Sequence, residues 1–173
     1  MRVTYLLIFA ALPSLAAAQT LKTDAEILSS FSAIAAKCSA AFSRGPYIYE
    51  QAQHSRWGKQ VFSNVEIKYD VQRTNSLVSP HTGQIIMRYI AAVVTAPTEV
   101  EVSALDVDVE GRALSQSGTI NFALQDGRWK TVSMEQANSF RLRKGEDFDT
   151  PMKITMSREK TLGLNGPARE CVL

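Results

Sequence analysis

Residues 65–94 read VEIKYDVQRTNSLVSPHTGQIIMRYIAAVV, and the reading of this stretch decides the fold. In its first limb Val65, Ile67, Tyr69 and Val71 alternate with Glu66, Lys68, Asp70 and Gln72. A period of two marks a half-buried strand, one face on a core and the other in water. The second limb, Ile85 to Val94, is apolar on both faces apart from Arg88, which predicts a strand lying deeper in the same sheet. Between the limbs Asn75, Ser76, Ser79, Pro80, Thr82 and Gly83 break the pattern. Strand, loop, strand is the expectation.

Upstream, the spacing predicts one well-signposted helix. Thr23-Asp24-Ala25-Glu26 fits a capping box, a Thr hydroxyl for an orphan amide and a Glu three residues on reaching back. Ile27, Leu28, Phe31, Ile34, Ala35, Cys38, Ala41 and Phe42 then form a single helical stripe. Gly45 and Pro46 stop it.

Downstream, Pro97 makes a turn, and Glu99–Val109 reads as a strand with a one-residue slip, hence a β-bulge. Thr119–Gln125 alternates through Ile120, Phe122 and Leu124. Asp126-Gly127 is the strongest hairpin signal in the chain, the pair a type I′ turn requires. Arg128–Met134 returns, with Trp129 expected to face the same way as Thr131 and Ser133 and to pack against sheet or helix. Lys144–Pro151 reads as a loop, and Met152, Ile154 and Met156 as an edge strand before Asn165-Gly166-Pro167. Runs of strands after one helix are α+β: an N-terminal amphipathic helix packed on a curved antiparallel sheet of four to six strands.

The first 18 residues carry one early positive charge (Arg2), an apolar run from Tyr5 to Leu12, and Ala16-Ala17-Ala18 before Gln19. This is the layout of a secretory signal peptide, too short for a stable span. Its alanine-rich cleavage zone looks bacterial, so a periplasmic or secreted protein is expected, with residues 19–173 as one domain. Without Arg2 the charge is 18 basic against 17 acidic residues, or +1. That balance gives no electrostatic footprint for nucleic acid or an anionic membrane, and no second apolar run is long enough to insert. Cys38 and Cys171 are the only cysteines. In an oxidising compartment they are expected to form a bridge, worth up to about 4–5 kcal/mol by loop entropy.

Chemistry is scarce. His54 and His81 have no ligand or base at metal-site spacing, so neither a metal nor another cofactor is expected, and the familiar nucleophile and phosphate motifs are absent. A dyad of His81 with Ser76 or Ser79 is an alternative of low prior. Asp106 and Asp108 share a strand face in this reading, a solvated face or a weak cation site. Two candidate binding regions remain. One is an aromatic wall of Tyr47, Tyr49 and Trp57 around His54, or else aromatics covering a sheet edge. The other is the 75–83 loop with Leu77, Val78, Pro80 and His81. It is far longer than a hairpin needs, so it is either a recognition tip or a cap folded back on the core.

Asp126-Gly127-Arg128-Trp129-Lys130 resembles the final hairpin of cystatin-like and NTF2-like domains. The resemblance covers the helix and the last three strands, and the single helix fits the simpler cystatin-like roll better. Tyr69–Pro80 is similar to a segment of small exported bacterial proteins with no assigned role. The function expected is a non-enzymatic binding or inhibitory module working on another envelope or secreted protein through a loop or sheet surface. The alternatives are an accessory component of an envelope or secretion assembly, and an enzyme whose site in the roll is lined by His54, Tyr47 and Trp57.

Overall fold

The computed structural model describes residues 23–51, 55–157 and 166–172. Residues 1–18, read above as a signal peptide, lie outside the described residues, as do His54 and Asn165. Helix α1 spans Asp24–Phe42, and six strands follow: β1 Tyr47–Gln51, β2 Arg56–Arg73, β3 His81–Ala96, β4 Ala113–Gln125, β5 Arg128–Arg141 and β6 Met152–Ser157. A short helix α2, Glu99–Ala104, stands between β3 and β4, and a 3₁₀ helix spans Pro167–Cys171. The strands form one antiparallel sheet in chain order, β1 to β6. The class is α+β.

Both halves of the Thr23–Glu26 capping box are present. Ile27, Phe31, Ala35, Cys38, Ala41 and Phe42 are buried, but Leu28 is 49 % exposed and falls off the stripe. The helix ends with Ser43 N–H donating to Ala40 O, and Gly45 follows at φ 100°. Phe31 seats α1 on the sheet. Its ring lies over Gly83, where a Cβ would come within 2.5 Å of it, and edge-on to Phe122 at 5.3 Å. Ile85, Met87, Ile120, Phe122 and Met134 complete the buried centre beneath the helix. Cys38 and Cys171 are joined, with Cα atoms 4.5 Å apart and both residues fully buried, pinning the 3₁₀ helix to α1.

The first limb of the central stretch keeps the phase of its alternation. Ile67 and Val71 pack against the core, and Tyr69 meets Phe31 at 6.2 Å. The second limb differs. β3 lies between β2 and β4, but from His81 to Tyr89 only alternate residues are buried; Ile86 and Arg88 are exposed. The face opposite α1 is therefore open to water along this half.

α2 covers the other end of that face. Val102 is fully buried, as nearly are Ala92 and Ala96, and all three stand apart from the main core. The expected strand over 99–109 does not form. Thr98 and Glu101 close a second capping box, the same Thr-x-x-Glu signal as at α1. Lys59 Nζ donates to Ser103 O at 2.8 Å and Leu105 O at 2.7 Å, a cation on carbonyls at the helix end. Bulges occur elsewhere, between Ser63 and Glu66 and at Asn121/Phe122. The second leaves Val132 unpaired, so Trp129 and Thr131 face the core while Ser133 faces out opposite Asn121. Asp126 and Gly127, at φ 52° and 72°, make the expected turn.

Candidate functional site

The β2–β3 connection is built from short polar side chains that bond to their own backbone. Thr74 N–H donates to Pro80 O at 2.8 Å and closes the base. The Thr74 hydroxyl donates to Ser79 O and accepts from Ser76 N–H at 3.2 Å. Ser76 Oγ accepts from Ser79 N–H at 3.1 Å. Gln125, at the β4–β5 turn, donates to Ser79 Oγ at 3.3 Å and ties the loop sideways to its neighbour. With the backbone turned inward in this way, Leu77 and Val78 point out. Leu77 is 101 % exposed and Val78 74 %. They do not cap the core.

Beneath the loop, His81 is buried at 8 % exposure. Its Nε2 lies 3.2 Å from Asp24 Oδ1 at the start of α1, and Arg73 approaches the other carboxylate oxygen at 3.9 Å. His81 thus supports the loop from below and is not presented with Leu77 and Val78. Neither serine hydroxyl bonds to it: Ser76 Oγ and Ser79 Oγ serve the loop and Gln125. The tip is three chain segments held together, the loop, the β4–β5 turn and the helix N-terminus.

The aromatic wall does not assemble. Tyr47 and Tyr49 stack at 5.6 Å on the helix side of the sheet, where Tyr49 covers Gly58 so closely that a Cβ there would meet its ring at 2.6 Å. Trp57 lies within β2 and pairs with Ala96 on the opposite face. Tyr47 instead joins Arg44, Pro46, Pro167 and Glu170 around a cleft of 190 Å³, where Arg44 and Glu170 form a two-pronged ion pair on the surface. A shallower trough of 260 Å³ lies on the open face. There Arg88, Glu135 and Lys153 have no ion pair among the described residues. Sequence reading gave no sign of it, because the row Arg88, Ser117, Ala137, Lys153 exists only through the register of four strands.

Asp106 and Asp108 fall after α2, outside any strand, and Asp108 accepts from Glu110 N–H. Among the described residues no group of three or more His, Cys, Asp or Glu side chains is placed to hold a metal ion. Nearby, Lys144 hydrogen-bonds Glu110 at 2.8 Å, which holds the carboxyl below its usual range and the ammonium above its own. Comparison of the chain with protein-family models, with curated proteins and with solved structures returned no match.

Proposed function

We propose that this protein is a non-enzymatic binding or inhibitory module, exported to the periplasm or beyond, that grips another envelope or secreted protein through the β2–β3 tip. The observation that carries this reading is the full exposure of Leu77 on a loop whose backbone is already satisfied by its own side chains. Burying two such aliphatic side chains in a partner is worth about 1.5–3 kcal/mol each. Little ordering entropy opposes it, because the loop is preorganised. The helix on a sheet whose strands follow in chain order is read as a cystatin-like roll, with residues 1–18 as a cleaved leader. The buried disulfide is compatible with export, as is the absence of any membrane-length apolar helix among the described residues. An enzymatic site is not favoured, since Tyr47 and Trp57 lie on opposite faces.

The test is capture of a partner from envelope extract on immobilised protein. Leu77→Ser and Val78→Ser should each abolish capture. Each should leave the melting temperature within about 2 °C, because an exposed surface change costs about 0.5 kcal/mol or less. A cyclised peptide spanning residues 73–81 should compete for the same partner. Undiminished capture by both variants would end the tip hypothesis.

A further inference from the structure

The two ends of α1 have different surroundings. Its first turn supports the tip through Asp24. Its last turn borders the cleft of 190 Å³ shared with the start of β1 and the 3₁₀ helix. Both segments that frame this cleft are stiff. Gly45-Pro46 leads directly into β1, and Gly166-Pro167 opens the 3₁₀ helix that the disulfide fastens to α1. Proline fixes φ, and Glu170 is the residue before the bridged Cys171. The walls are therefore ordered before any ligand arrives, which lowers the cost of binding.

Two chemistries meet in the cleft. One is aromatic. Tyr47 lines it and is half-buried. Tyr49, two residues on along the same face of β1, covers Gly58 and holds Tyr47 in a near-parallel stack, with 19° between the ring planes. The other is a matched donor and acceptor. Arg44 donates through Nη1 and Nη2 to the two carboxylate oxygens of Glu170. Their side chains are 60 % and 34 % exposed. A guanidinium carries five N–H groups and a carboxylate about four lone-pair sites, so this pairing leaves capacity on both. The pair has no net charge.

We propose that this cleft binds an uncharged glycan, seating one hexopyranose ring between Tyr47 and the Arg44–Glu170 pair. A pyranose with equatorial hydroxyls presents flat faces of C–H groups, which suit the negative face of an aromatic ring. Its neighbouring hydroxyls each donate and accept, so together they can bond a carboxylate and a guanidinium side by side. An ionised ligand would instead have to take one member of the pair from the other. The size agrees. The cleft is smaller than the roughly 300–1,000 Å³ of sites that take drug-sized ligands, so one ring enters and the rest of the glycan lies outside. A polyproline segment docks along a groove lined by several aromatic rings, whereas here Tyr49 is committed to Gly58. The 19 residues of α1 put roughly 28 Å between this cleft and the tip. The proposal does not depend on the function given to the tip.

The test is titration of the purified, oxidised protein with cellotetraose and with tetra-N-acetylchitotetraose to millimolar concentration, followed by amide nuclear magnetic resonance. At least one sugar should bind saturably, moving signals of residues 44–49 and 166–171 and leaving those of 74–80 in place. Tyr47→Ala should weaken binding about tenfold, the scale of one lost aromatic contact. Tyr47→Phe should keep most of the affinity, because the ring face remains. Glu170→Gln should weaken it by a similar factor to Tyr47→Ala, since an amide neither holds Arg44 nor accepts as a carboxylate does. Leu77→Ser should bind as wild type does. Three results would each overturn the proposal: no signal moved by either sugar, signals moved only elsewhere, or Tyr47→Ala or Glu170→Gln binding undiminished. A decaproline peptide that occupies the cleft when neither sugar does would assign it to a proline-rich partner instead. Should a variant unfold, the wild-type signals decide, by lying at the cleft or away from it.

Discussion

Trp129 donates its indole N–H to Ser30 Oγ at 3.0 Å, linking β5 to α1 across 99 residues. Ser30 in turn donates to Ile27 O at 2.7 Å, and the indole ring lies 4.6 Å from Phe31. Trp129→Phe should therefore lose about 1 kcal/mol through the hydrogen bond. Trp129→Ala should lose about 3–5 kcal/mol through the cavity as well. Trp57, half-buried on the other face, should cost clearly less when truncated. Urea midpoints of the three variants check the order, and an equal or reversed ranking of the two alanine variants contradicts it.

Gly83 is filled from above by Phe31, and that ring is itself held by Tyr69, Phe122 and Trp129. A methyl group at residue 83 has no space to displace it. Gly83→Ala should cost about 1–3 kcal/mol by overpacking, read as a lower melting temperature with an unchanged far-ultraviolet spectrum. A neutral outcome would mean that α1 lifts from the sheet freely.

The Cys38–Cys171 bridge should leave no alkylatable thiol in native, unreduced protein, checked by mass spectrometry. The Cys38→Ala, Cys171→Ala double variant should lose about 2–5 kcal/mol. Hydrogen exchange should locate the loss in the 166–172 segment and the second half of α1, the two pieces the bridge joins.

Burial raises the Tyr89 hydroxyl well above the usual tyrosine range, and it donates to the buried Gln116 side chain. The folded protein thus keeps a proton that the unfolded chain releases near pH 10. The stability this gives is complete below pH 10 and is lost progressively above it. Urea midpoints between pH 8 and 11.5 should fall at the alkaline end for wild type. Tyr89→Phe should be about 1 kcal/mol less stable at pH 8, with Gln116 unsatisfied, and should lose the alkaline component contributed by residue 89.

Much of this fold is legible in single residues. The Thr23–Glu26 box marks where α1 begins, and Asp126-Gly127 places the β4–β5 turn. The same box at Thr98–Glu101 is equally plain, yet over six residues Val100, Val102 and Ala104 alternate as in a strand. A helix that short shows too few turns for its period to declare itself. The buried face of β3 beyond Ala91 is explained only by α2, which sits on Ala92 and Ala96. Trp57 could not be assigned to a strand because Gly58 interrupts the pattern, and its need for a glycine comes from Tyr49 on another strand. At the tip, an aliphatic pair suits a cap as well as a recognition surface. What separates them is the web of Thr74, Ser76 and Ser79 hydrogen bonds, which turns the backbone inward.

The bridge also orders the protein's assembly in time. All six strands among the described residues lie between Cys38 and Cys171, which are 133 positions apart. A chain made from its N-terminus exposes the helix thiol long before its partner exists, and it has no other cysteine to pair with. Any product truncated within the sheet has no partner in its own chain for the sulfhydryl at residue 38. Within one chain only residue 171 can pair with it, so oxidation of this pair records that synthesis has passed β6.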